Sequence, residues 1–133
     1  MRRDLKKNLA LVLLIGLAAG GCGPKPAQDQ GHDYNIRAQV VQPPDAATGL
    51  YLYHEAVDDW VSRDGKVSGM DPMAMPFPVA KGVSVEGIEA NDKIEATLHV
   101  DWDSDRPVEI TKVRELPPDT KLVFRAAKPP QSP

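Results

Sequence analysis

Three methionines fall within six residues, in the run Gly69-Met70-Asp71-Pro72-Met73-Ala74-Met75-Pro76-Phe77. The sequence holds four methionines, and the remaining one is the initiator. A thioether is neutral and polarisable, so a cluster of them selects a soft monovalent ion, Cu(I) or Ag(I), over zinc, calcium or magnesium. It needs no deprotonation and forms no disulfide, which suits an oxidising compartment. Packing is the competing explanation, because residues i and i+2 on a strand share a face and Met fills irregular gaps. Against packing, Met is a weak strand former beside Val, Ile and Phe, and Met70 sits in a Gly, Asp and Pro stretch where no core residue is required.

A nitrogen donor would complete such a site, and hydrophobic alternation discriminates among the three histidines. Leu50, Leu52 and His54 share one face of a strand-like segment, with Tyr51, Tyr53 and Glu55 on the other. His54 is therefore expected to point inward, as Met73 and Met75 do. An inward His on its own is more often a hydrogen-bonded core residue; beside three clustered thioethers it becomes a candidate ligand. His99 shares a face with Lys93, Glu95, Thr97 and Asp101, which reads as a solvated surface, and His32 falls in a polar stretch with no role assigned.

The elements that must position these residues have a period of two. Ile36, Ala38 and Val40 alternate with polar residues, and Pro43-Pro44-Asp45 is expected to close this strand as a turn. The second strand is Leu50–Glu55, followed by an Asp- and Gly-rich loop over 58–69. Met73, Met75, Phe77 and Val79 share one face of a third segment, with Pro76 and Pro78 on the other, as an edge strand allows. Asn91-Asp92 marks the entry to a fourth strand, where Ile94, Ala96, Leu98 and Val100 alternate with charged and polar residues. In the fifth, Val108 and Ile110 are in register and Val113 is out of it, which predicts a bulge. Five short strands with one buried face and no long helix predict an all-β fold, a small closed barrel of OB type.

The N-terminus carries Arg2, Arg3, Lys6 and Lys7, then the apolar run from Leu9 to Ala19, then small residues leading to Cys22, the one cysteine present. This is the layout of a signal peptide, too short to span a bilayer. It resembles the lipobox of bacterial lipoproteins, which implies acylation of Cys22, stable anchoring and a periplasmic location; Gly23 in place of Asp favours the outer membrane by the sorting rules of that group. The expected organisation is a signal peptide over 1–21, a flexible tether over 22–33, a folded domain over 34–116 and a Pro-rich tail over 117–133. Taking Arg2, Arg3, Lys6, Lys7 and Asp4 from 16 basic and 19 acidic residues leaves 12 against 18, a net charge of −6. That balance argues against nucleic acid as a partner. With Cys22 acylated, neither a disulfide nor a thiolate metal site is available.

Three stretches together resemble the CusF-like periplasmic copper- and silver-binding proteins: Leu52-Tyr53-His54-Glu55-Ala56-Val57, Met70 through Phe77, and Ala90-Asn91-Asp92-Lys93-Ile94. The resemblance spans nearly the whole domain and implies a five-stranded OB-type barrel that binds Cu(I) or Ag(I) through one His and two Met, with a Trp ring over the metal. His54, Met73 and Met75 fall on the ligand positions. The Trp position is Met70, and a third thioether can coordinate where a Trp ring acts mainly by cation–π attraction. The implied site is one imidazole and three thioethers. The loop between His54 and Met70 also brings in Trp60, which either covers the metal or packs, while Trp102 reads as rim packing.

These residues lead to a membrane-tethered metallochaperone or scavenger that exchanges ligands with a copper efflux or copper-delivery protein. Glu55, Asp58, Asp59 and Asp71 are candidates for selecting a basic docking face, or simply for solubility. The alternative is a metal-free adaptor of the cell envelope that binds protein or glycan. No enzyme is expected, since the domain offers no Cys, only His54 and His99, and no Ser–His or paired-carboxylate arrangement.

Overall fold

The computed structural model describes residues 31–131. The signal-like head, Cys22 and the tether up to residue 30 lie outside the described residues. No helix forms among the described residues, and none is therefore long and apolar enough to cross a membrane.

Five antiparallel strands make one sheet in the order β3-β2-β1-β4-β5: β1 His32–Asp45, β2 Gly49–His54, β3 Ala74–Phe77, β4 Lys93–Val100 and β5 Val108–Glu115. The alternation in the sequence is the alternation in burial. Tyr34, Ile36, Ala38 and Val40 of β1 are buried, and so are Ile94, Ala96, Leu98 and Val100 of β4. Their register sets large against small, Ile36 opposite Ala96 and Ala38 opposite Ile94, which lets the side chains of the central pair interdigitate. Leu50, Leu52, Phe77 and Ile110 close the core from the flanking strands. Each such side chain stabilises the fold by about 1.5–3 kcal/mol relative to an exposed one.

β1 starts at His32, inside the stretch expected to be tether, because His32 and Asp33 pair with Val100 and His99 of β4. Pro43 and Pro44 do not form the turn. They lie within β1 where its register against β2 slips twice, between Val40 and Gln42 and between Gln42 and Asp45, and irregular ladder is where a residue without an amide proton is tolerated. The turn is one step later. Asp45 caps it, its Oδ1 accepting from the amides of Ala47 at 2.6 Å and Thr48 at 3.4 Å. Gly49 leaves the turn at φ 78°, and a Cβ there would come within 2.1 Å of the Phe77 carbonyl oxygen, so no other residue fits.

The bulge expected in β5 is present: Leu98 faces Ile110 while Thr97 faces Lys112, which leaves Thr111 as the extra residue and brings Val113 opposite Ala96. Beyond β3, Val79 makes a single parallel bridge to Ile110; Ala80 donates its amide to the Ile110 carbonyl, and Ile110 donates to that of Pro78, both at 2.8 Å.

Two segments depart from expectation. The loop after β2 is a hairpin, bridged at Val57–Met70 and Val61–Val67 and turned at Ser62–Gly65. The tail from Pro117 has no regular element, as its prolines imply, yet it is held against the domain by side chains rather than trailing from it.

Candidate metal site

The last pair of the β2–β3 ladder is Tyr53 with Ala74, after Leu52 with Met75 and Leu50 with Phe77. One step further out, the amide of His54 donates to the Met73 carbonyl at 3.3 Å. Because side chains alternate across a strand, His54, Met73, Leu52 and Met75 share one face. Burial along β3 grades from rim to core: Met73 is 42% exposed, Met75 is half-buried, and Phe77 is buried. Met70 is carried by the other arm of the hairpin, fixed by a reciprocal pair of bonds with Val57 at 2.8 and 2.9 Å, and packs half-buried against the core. The register therefore brings His54, Met73 and Met75 to one end of the sheet, with Met70 on the adjoining arm.

His54 is the one buried polar side chain in the core of the described residues. Its Nδ1 lies 2.7 Å from the Glu55 carbonyl, which can only accept, so Nδ1 carries the proton. Burial pushes the imidazole below its ordinary range, partly opposed by that same hydrogen bond, so the ring is neutral at pH 7. Nε2 is then a bare lone pair, fully buried and without a partner among the described residues. The edge of Phe77 packs on the ring with centroids 5.8 Å apart. A buried acceptor left without a donor costs about 1–3 kcal/mol, and this one is aimed from a face that also carries thioethers.

No group of three or more His, Cys, Asp or Glu side chains gathers among the described residues. The donor set available is one neutral imidazole with thioethers, which fits a soft monovalent ion.

Trp60 is in a packing cluster. Its ring lies 5.1 Å from that of Tyr34 and 5.9 Å, edge-on, from that of Trp102. The Val61 amide donates to the Tyr34 hydroxyl and the Val61 carbonyl accepts from Trp102 Nε1, each at 3.0 Å, which pins the hairpin to the sheet. Arg63 sits over the Trp102 ring. His99 is paired with Asp33 through Nδ1 at 2.7 Å instead of standing free in solvent.

The acidic residues near the site have partners that alternation and motif reading did not reveal. Glu55 takes a fork of bonds from Arg37 at 2.7 and 2.9 Å and another from the Val123 amide at 2.6 Å. Burial works to raise its pKa, and these bonds outweigh it, so the net shift is downward. Asp58 holds both terminal nitrogens' worth of Arg125 through Nη1 at 2.9 Å and Nη2 at 2.7 Å, and its carboxyl lies well below the usual range because of that guanidinium and the Lys128 amide. Asp71 accepts from the Ala127 amide at 2.8 Å. The one signal in the sequence was Arg125, one of three cations in the Pro-rich tail.

No family model, curated protein or solved structure matches this chain.

Proposed function

We propose that this chain is an envelope lipoprotein that carries or scavenges Cu(I) or Ag(I), held to the membrane through Cys22 and located in the periplasm. His54, Met70, Met73 and Met75 hold the ion as cargo, and it leaves by exchange of one thioether at a time for ligands of a copper efflux or copper-delivery protein. The single observation that carries this reading is the bare, buried Nε2 of His54 on the face shared with Met73 and Met75. A core histidine kept only for packing would be expected to find a donor for that lone pair. Met73 is the natural first ligand to leave, since the residue stands exposed at the rim.

The domain is, in the same proposal, a barrel of OB type. The parallel bridge between Val79 and Ile110 supports it, because it joins the end of β3 to the far edge of the sheet.

Titration with Cu(I) under reducing conditions, against a chromophoric chelator of known affinity, tests the metal reading. The expected result is saturable 1:1 binding that is lost in a Met73→Leu/Met75→Leu double variant. Binding that this variant leaves unchanged, or none at all, would return the methionines to packing and favour a metal-free adaptor.

A further inference from the structure

The C-terminal segment occupies a groove whose walls come from three separate stretches of the chain. Glu55 follows β2, Asp58 lies on the first hairpin arm, and Asp71 lies between Met70 and Met73. Each gives a carboxylate oxygen to a main-chain amide of the tail, those of Val123, Lys128 and Ala127 respectively. Recognition through amides is indifferent to side chains, so this part of the groove accepts any extended segment. Selectivity comes from one guanidinium, Arg125, held in the bidentate fork of Asp58. It is assisted by an aromatic contact of Phe124 with Tyr53, centroids 4.4 Å apart. Gly69 lets the segment lie close, since a Cβ there would come 3.0 Å from that of Ala127.

The hydrogen bonds that hold Val123, Arg125, Ala127 and Lys128 are all exposed. Val123 and Phe124 remain 55% and 41% exposed, and no strand ladder forms. The Arg125–Asp58 pair is exposed and screened by solvent, and the attachment relies on the tail being tethered, which supplies an effective concentration of order millimolar. A segment that also buried apolar surface there would displace it.

We propose that this acidic groove is a docking site for an extended, arginine-bearing segment of a partner protein, and that Lys121–Lys128 fill it as a displaceable strap. The seated tail is the template for the occupant: an extended backbone, an aromatic followed by Arg, then small residues. Displacement frees the carboxylates of Asp58 and Asp71 while the Val57–Met70 bonds keep the two arms paired, so docking does not rest on the metal reading.

The test uses the full chain in metal-free buffer and a fluorescent peptide with the sequence of residues 119–131. Arg125→Ala weakens the strap in cis and frees the groove, so this variant should bind the peptide at least tenfold more tightly than the unmodified chain does. Adding Asp58→Asn to it should cost at least tenfold, as should R125A in the peptide. Equal binding by the unmodified chain and the Arg125→Ala variant, no binding to that variant at millimolar peptide, or indifference to the peptide's arginine would each overturn the proposal. Concentration-dependent dimerisation of the unmodified chain by exchanged tails would assign the groove to a second copy and overturn the partner. Because no metal is present, failure here is distinct from failure of copper binding.

Discussion

The amide of His54 donates to the carbonyl of Met73, so the most buried imidazole and the most exposed thioether of the described residues face each other where the β2–β3 ladder ends. An ion bound by both would stand at the boundary between the dry core and solvent. On the dry side, the edge of Phe77 packs on the buried ring; on the wet side, Met73 stands exposed at the rim. That asymmetry is what ligand exchange requires, a fixed ligand to retain the ion and a mobile one to hand it over.

His54→Leu separates a functional from a structural histidine. It removes the unpartnered Nε2, which is worth about 1–3 kcal/mol, and leaves the Glu55 carbonyl without its Nδ1 donor, a loss of similar size. The metal-free variant is expected to unfold in urea within about 1.5 kcal/mol of the parent, while its Cu(I) affinity falls at least a hundredfold. A variant that fails to fold, or one that keeps its copper affinity, would make His54 a packing residue.

The methionines should divide by burial in stability and not in metal affinity. Met73→Leu touches an exposed rim position and should change stability by less than about 0.5 kcal/mol. Met75→Leu and Met70→Leu alter half-buried side chains of similar volume, with an expected cost below about 1.5 kcal/mol. Each is expected to weaken Cu(I) binding at least tenfold in chelator competition. A set of variants with altered melting but unaltered affinity would point to core packing.

Strand alternation carried the sheet. Tyr34 to Val40, Leu50 to His54 and Ile94 to Val100 each bury every second residue as their patterns require, and the offset of Val113 marked the bulge. The inward direction of His54 was legible for the same reason. Its bare Nε2 was not, because an unmet hydrogen bond depends on what the surrounding strands fail to supply. The hairpin over 57–70 was hidden because isolated bridges leave no run of alternation. The strap was hidden because it is fixed by side chain-to-backbone bonds between residues 56 to 70 apart in sequence, which impose no period at all.

Acid should release the strap, and the sign follows from Asp58. Its carboxyl is depressed in the folded state from an ordinary value of 3.8, so the attachment is fully present above that value and is lost as pH falls through the lower, folded one. Glu55 shifts the same way from 4.5. Amide exchange at Lys128 should therefore be steady from pH 7 to about 4 once corrected for intrinsic rates, and protection should decline progressively only as the pH falls further. Asp58→Asn should show little protection at Lys128 at any pH. Protection that instead vanishes near pH 6 would implicate a histidine and contradict this assignment.

Trp60 gives the opposite pattern to His54. Its ring packs on Tyr34, which lies four residues along β1 from Ala38, the partner of His54 in the ladder, or roughly 13 Å of strand. Trp60→Ala removes that contact and the edge of Trp102, and it loosens a hairpin pinned through Val61. Truncating a large aromatic costs about 3–5 kcal/mol in a full core, and for this half-buried ring about 2–3 kcal/mol is expected in urea melts. Cu(I) affinity of the folded variant should stay within about threefold of the parent, since the ring's contacts are with other aromatics. A large loss of affinity with little loss of stability would mean that Trp60 leaves its cluster to cover the ion, and the hairpin would then have to be regarded as part of the site.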